Sequence, residues 1–97
     1  MHKIFDSKVE ISPDVLFQEI NGETVLLDLK SESYFGLDET ATRIWQLLQD
    51  EHGLRELFGI MASEFEVDPG QLEKDLVQHL KELEEAGLIN MKEQESA

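Results

Sequence analysis

The sequence predicts an α+β domain in which a three-stranded antiparallel sheet precedes three helices. Over the first third of the 97 residues, apolar side chains alternate with polar ones in short runs, which is typical of strands. From Asp38 onward the apolar residues recur with a spacing of about 3.6, which is typical of amphipathic helices. This change in spacing places the end of the sheet just before Asp38.

Three short runs predict the strands, at residues 14–20, residues 24–29 and Ser33–Leu37. Asn21-Gly22 stands between the first two runs. This dipeptide favours a two-residue hairpin, because both residues tolerate the positive φ of a type I′ turn. The sheet is therefore predicted to be a meander. One face of the second strand carries three apolar side chains: Val25, Leu27 and Leu29.

The first helix is predicted to begin after Asp38, whose carboxylate suits the N-cap position. Its apolar residues follow the spacing i, i+3, i+4, i+7, so they form one stripe that faces the core. Trp45 is the largest side chain in this stripe, and we expect it to be a core residue and not part of a site. The stripe consists of Ala41, Ile44, Trp45 and Leu48.

The third helix carries the clearest boundary signals. Asp68 is the predicted N-cap and Pro69 the first helical residue, while Gly87 suits the left-handed conformation that follows a helix end. Between residues 53 and 66 a further stripe predicts the second helix. The apolar residues of the second helix are Leu54, Leu57, Phe58, Met61 and Phe65, and those of the third are Leu72, Leu76, Leu80 and Leu83.

The length fits a single domain, which we place at residues 11–90, with flexible tails at residues 1–10 and 91–97. After Gly87, Leu88-Ile89-Asn90 is expected either to add a short strand or to cover the core.

The charge balance excludes several classes of partner. The chain has 22 acidic and 8 basic residues, a formal net charge of -14, so its surface repels phosphate backbones and anionic membranes. Cysteine is absent, which excludes disulfides and thiolate metal sites. With neither a signal-peptide pattern nor an apolar run long enough to span a membrane, the sequence favours a cytoplasmic protein.

The titratable residues form no recognisable catalytic or metal-binding pattern. His2, His52 and His79 are scattered, without the i, i+4 spacing of paired ligands. Phosphate-binding loops, nucleophile elbows and calcium loops are also missing. We therefore expect neither an enzyme activity nor a cofactor or metal.

The third predicted strand has an unusual edge. In a meander both outer strands are edges, and proteins usually protect edges with charge or proline. The first strand has such protection from Pro13, Asp14 and Glu19, but Ser33–Leu37 has neither charge nor proline. Two explanations remain open at this point: a helix or Leu88-Ile89 covers the edge, or another chain adds a strand there.

Several segments, in this order and spacing, resemble the PqqD family over about residues 11 to 90. Many members have Leu-Asn before the first helix where this chain has Leu37-Asp38, and both residues can cap a helix. The segments are Leu26-Leu27-Asp28, Tyr34-Phe35-Gly36-Leu37-Asp38-Glu39-Thr40-Ala41-Thr42-Arg43-Ile44-Trp45, Phe65-Glu66-Val67-Asp68, Asp75-Leu76, Leu80, Leu83 and Gly87-Leu88-Ile89.

The resemblance implies a winged-helix-like arrangement and a function in the biosynthesis of ribosomally synthesised, post-translationally modified peptides (RiPPs). Members of this family bind the leader of a precursor peptide as a strand added beside the third strand, and they present it to a modifying enzyme of the radical or cyclising type. Carried onto this chain, the peptide-binding residues are Ser33, Tyr34, Phe35, Gly36 and Leu37 on the strand, with Leu72, Asp75, Leu76, His79, Leu80 and Leu83 on the third helix.

Two other functions are weighed against the peptide adaptor. A winged-helix DNA-binding regulator needs a basic recognition helix, whereas the third helix sets Lys74 and Lys81 against a larger number of acidic residues. A permanent structural subunit of a protein complex would use the same edge, and the sequence does not separate it from an adaptor.

Overall fold

The computed structural model describes residues 2–93 and confirms the predicted α+β class, with a three-stranded antiparallel sheet followed by three helices. A second, two-stranded sheet joins the two ends of the described chain. The elements in chain order are a short 3-10 helix Lys3–Asp6, β1 Ser7–Ile11, β2 Val15–Ile20, β3 Glu23–Asp28, β4 Ser33–Leu37, α1 Glu39–Gln49, α2 Leu54–Glu64, α3 Pro69–Glu85 and β5 Ile89–Glu93.

The predicted meander is the sheet β2-β3-β4, so the third predicted strand is β4. The hairpin between β2 and β3 has the expected two-residue loop, with φ of 53° at Asn21 and 82° at Gly22. Positive φ at both positions is the signature of a type I′ turn, and its twist matches that of the flanking strands. The register places Leu16 opposite Leu27, and Leu27 opposite Tyr34.

The two-stranded sheet corrects the prediction of flexible tails at residues 7–10 and 91–93. β1 pairs antiparallel with β5, and Val9 lies opposite Met91. The cause is a pairing between segments about 80 residues apart, which no local pattern indicates. Leu88-Ile89 was expected either to add a short strand or to cover the core, and it does both. The two side chains are buried, and β5 begins at Ile89. Residues 1 and 94–97 lie outside the described residues.

The predicted helix boundaries are confirmed by their caps. The Asp38 carboxylate accepts a hydrogen bond of 2.8 Å from the Ala41 N–H at the start of α1, and the Asp68 carboxylate accepts one of 3.1 Å from the Gln71 N–H at the start of α3. Gly87 has φ of 77° at the end of α3. There the Leu88 N–H donates to the Leu83 carbonyl, the six-to-one bond of a Schellman motif.

The core lies between the inner face of the sheet and the three helices. Trp45 is 1% exposed, as predicted, and its ring meets that of Phe17 edge to face at a centroid distance of 6.1 Å. On β3 the inward residues are Thr24, Leu26 and Asp28. The alternation predicted for this strand is therefore correct, but its face of Val25 and Leu27 points away from the helices.

The N-cap of α3 gives a first testable prediction. Asp68→Ala should lower the free energy of unfolding by about 1 kcal/mol, because the N–H of Gln71 loses its acceptor. Urea denaturation followed by circular dichroism measures the change. Asp68→Asn is the matched control and should stay close to wild type, since asparagine caps equally well. Equal losses in both variants would show that the carboxylate charge, and not the cap, stabilises the helix.

Candidate functional site at the edge of the sheet

β4 is an edge strand of the three-stranded sheet. It pairs with β3 on one side, and no strand within residues 2–93 pairs with its other side. The explanation that Leu88-Ile89 covers this edge is wrong, because β5 pairs with β1 in the other sheet. The main-chain groups along the free side of Ser33–Leu37 therefore lack a strand partner in the described part of the chain.

Hydrogen bonds fix β4 at both of its ends. Before the strand, the buried Asp28 carboxylate accepts from the Lys30 N–H at 3.2 Å and from the Ser31 hydroxyl at 2.8 Å, which shapes the turn between β3 and β4. After the strand, the buried Thr42 hydroxyl donates to the Leu37 carbonyl at 3.4 Å. Such buried polar contacts hold the edge in a defined position.

The side chains of β4 alternate between two faces. Tyr34 is 72% exposed and Gly36 is also exposed, on the outer face of the sheet. Ser33 and Phe35 are half-buried and Leu37 is buried, on the inner face that meets the helices. A strand added beside β4 would place its own side chains alternately on the same two faces.

The residues of the third helix that were predicted to bind peptide fall into two groups in the structure. Asp75 is exposed and His79 half-buried, so both are accessible along α3. The four leucines are interior residues of the core, and Leu80 has no exposed surface. They stabilise the position of α3 from within. The buried group is Leu72, Leu76, Leu80 and Leu83.

His79 is the titratable side chain with a shifted pKa in this region. Burial lowers the pKa of His79, and the nearby carboxylates of Glu82 and Asp38 oppose that shift. The His79 Nε2 is buried and has no hydrogen-bond partner among the described residues. With its pKa lowered, His79 is a neutral group at pH 7.

The charges around this edge are mostly negative. Glu32 and Asp38 are exposed acidic residues directly before and directly after β4, and Asp75 is an exposed acidic residue on α3. Their field attracts basic segments and repels acidic ones at distances up to about one Debye length.

Within residues 2–93, no group of three or more histidine and acidic side chains converges as a metal site would require. No helix in this part of the chain is long and apolar enough to span a membrane.

Sequence reasoning missed one surface, the outer face of β2-β3-β4. It carries several of the large apolar side chains that are exposed to water, among them Leu16 and Tyr34. The alternation of β3 indicated an apolar face, but helices on the opposite side left this one uncovered.

The chain matches the model of one protein family over residues 23–89. This family is described as coenzyme PQQ synthesis protein D (PqqD). No sequence among the curated proteins gives a significant match.

Two solved structures share the fold over most of their length. TbiB1 in complex with the TbiA(beta) leader peptide has 36% sequence identity and a TM-score of 0.81, and the similarity covers 84% of this chain and 94% of that one. Lasso peptide synthetase B1 complexed with its leader peptide has 29% identity and a TM-score of 0.78, over 86% of this chain and 98% of that one. Both similar proteins therefore bind leader peptides.

Proposed function

This chain belongs to the PqqD family, and we propose on that premise that it is a non-catalytic adaptor for RiPP biosynthesis. It binds the leader of a precursor peptide and presents it to a peptide-modifying enzyme. The leader adds as an antiparallel or parallel strand to the free side of β4. Support comes from the two similar structures, each of which holds a leader peptide.

The observation that carries the proposal is the unprotected edge of β4. Ser33–Leu37 has no charged residue or proline to prevent pairing, and no strand within residues 2–93 uses its free side. Main-chain hydrogen bonds along such an edge supply affinity with little dependence on sequence, while pockets for alternate side chains supply specificity. A leader is thus bound through its main chain and selected through its side chains.

The inward side chains of the added strand lie against the half-buried residues of β4 and α3. Phe35 offers an apolar contact, and His79 offers the accessible part of its ring. Asp75, which accepts a hydrogen bond of 2.9 Å from Gln71, lies one turn earlier on α3 and attracts a basic leader residue. We propose these three side chains as the contacts on the inner side.

The winged-helix DNA-binding alternative gains no support from the structure. The exposed side of α3, which a DNA-binding protein of this type would insert into the major groove, carries Asp75, Glu82 and Glu85. These acidic residues repel phosphates, so the regulator remains the weaker explanation.

A direct binding measurement tests the function. The probe is a fluorescent synthetic peptide that covers the leader of a short precursor found by a search of the neighbouring open reading frames, and its polarisation is followed as protein is added. We expect saturable binding of this peptide. A control peptide with the same residues in scrambled order should bind more weakly. Equal binding of the two peptides, or none of either, contradicts the adaptor function.

The association and dissociation rates should respond to different changes. Raising salt from about 50 to about 500 mM should slow association of a basic leader, because the field of a chain with net charge -14 is screened. Dissociation should stay nearly constant, since desolvated apolar contacts control it. Phe35→Ala should instead speed dissociation by roughly tenfold and leave association unchanged.

Surface-based kinetics with an immobilised leader measures both rates. Phe35 is the suitable position because it is half-buried, whereas Leu80 is fully buried and its truncation would test the stability of the core. If salt acts mainly on dissociation, charge and not strand addition holds the leader.

A further inference from the structure

The outer face of the three-stranded sheet is apolar and open to water. The strand register aligns Leu16, Leu27 and Tyr34 in one row across all three strands. Leu16 is 55% exposed, and Val25, in the next row, is 43% exposed. Between these rows lies a shallow depression of about 520 Å³. Contiguous apolar surface of this kind on a water-soluble domain marks an interaction site.

This face carries no charge in its two central rows. The second row consists of Gln18, Val25 and Gly36, so all six positions are uncharged. In the chain as a whole charged residues make up 31% of the sequence. The contrast is informative, because an uncharged apolar centre with a charged surround is the usual anatomy of a protein interface.

Charge decides which partner fits this face. Its rim carries exposed acidic residues, Glu23 near the hairpin and Glu32 in the turn before β4. Lys30 at this end of the sheet forms an ion pair with Asp14, with 3.3 Å between Nζ and Oδ2. A second copy of the chain would bring one net charge of -14 against another. The complementary partner therefore has an apolar patch bordered by lysine and arginine.

We propose that the outer face of β2-β3-β4 is the surface on which the peptide-modifying enzyme docks, through an apolar patch with a basic border. The identity of the partner rests on the proposed function. The face is continuous with the peptide edge, because Tyr34 belongs to both. A leader strand beside β4 would extend this face with every second side chain, so the docked enzyme lies next to the bound peptide.

The test uses a purified peptide-modifying enzyme found by a search of the neighbouring open reading frames, titrated by calorimetry against the full chain with the synthetic leader bound. The face variant is Leu16→Lys with Val25→Lys, two exposed positions outside the peptide edge. We expect its affinity for the enzyme to fall about 30-fold, because two charges lose water at an apolar contact. Its affinity for the leader should stay within about twofold of wild type.

The matched control is Gln49→Lys with Ser63→Lys, which adds the same charge at exposed positions on α1 and α2. It should bind the enzyme like wild type, and thermal melts should show both variants folded. Docking at this face is contradicted if the face variant keeps its enzyme affinity, if the control loses as much, or if wild type with leader bound does not bind the enzyme.

Three other results separate this proposal from its alternatives. If sedimentation shows a wild-type dimer that the face variant abolishes, the occupant is a second copy and the enzyme proposal fails. If the leader fails to bind wild type, the proposed function itself is overturned. If the leader binds wild type but not the face variant, this face belongs to the peptide site. The docking proposal then fails, while the proposed function stands.

Discussion

Replacing Gly36 by proline should weaken leader binding on the order of 100-fold, because the proline ring either obstructs the added strand or breaks the β3–β4 pairing that holds this edge. Gly36 lies near the end of β4, where a Cβ atom would meet nothing within 4 Å. Polarisation with the fluorescent leader measures the affinity. Gly36→Ala is the matched control and should bind like wild type, since it adds the Cβ and keeps the N–H.

A second proline variant, Ser33→Pro, makes this test independent of the side of β4 to which the Gly36 N–H points. Successive residues of a strand direct their N–H groups to opposite sides, so Ser33 and Gly36 point to different sides of β4. One of Ser33→Pro and Gly36→Pro therefore removes a donor from the free side, and the other removes one that faces β3. The variant that keeps the wild-type melting temperature identifies the free side. Wild-type affinity in that variant contradicts strand addition at β4.

Trp45→Ala should lower the free energy of unfolding by about 3 to 5 kcal/mol, the second large effect that we expect. The Trp45 side chain is almost entirely buried and packs edge to face against Phe17, so truncation leaves a cavity that the helices cannot close. For a domain of this size the loss is a large part of the total stability. A drop in melting temperature of roughly 20 °C should follow.

Trp45→Phe serves as the control for this truncation. It keeps an aromatic ring against Phe17 and should lose clearly less stability than Trp45→Ala. Trp45 would have to be reassigned from the core to the peptide site if Trp45→Ala melted at the wild-type temperature but lost the leader.

The features that were predictable from the sequence are those that depend on neighbouring residues. Asn21-Gly22 specifies its turn because both residues tolerate positive φ, and Asp68-Pro69 specifies a helix start because one residue caps and the other lacks an N–H. Gly87 ends α3 for a similar local reason. The edge strand Ser33–Leu37 was identified with the bounds that the structure gives.

The features that were not predictable depend on distant parts of the chain. The pairing of β1 with β5 joins segments separated by the whole domain, and neither carries a turn signal that reveals its partner. The side of the sheet that the helices cover is also a tertiary property. Alternation along β3 predicts two faces, but the buried face holds Thr24 and Asp28. The Thr24 hydroxyl donates to that of Thr42, and the Asp28 carboxylate accepts from the Ser31 hydroxyl.

The candidate site was predictable on the strand more than on the helix. β4 is defined by its own sequence and by the absence of charge along it. On α3, helical spacing identifies an apolar stripe but does not distinguish residues that face the core from residues that border a cleft. Leu76 and Leu80 are interior, while His79 and Asp75 remain accessible.

Residue-resolved amide hydrogen exchange tests strand addition at β4 most directly. The full chain is compared with and without the synthetic leader peptide, under conditions where all of it is bound. The N–H groups on the free side of Ser33–Leu37 should exchange at least about tenfold more slowly in the complex, because they donate to the added strand. The N–H groups of β2, the opposite edge, should not change. Slowing confined to β2 or to the helices, with β4 unaffected, would contradict the proposed mode of binding.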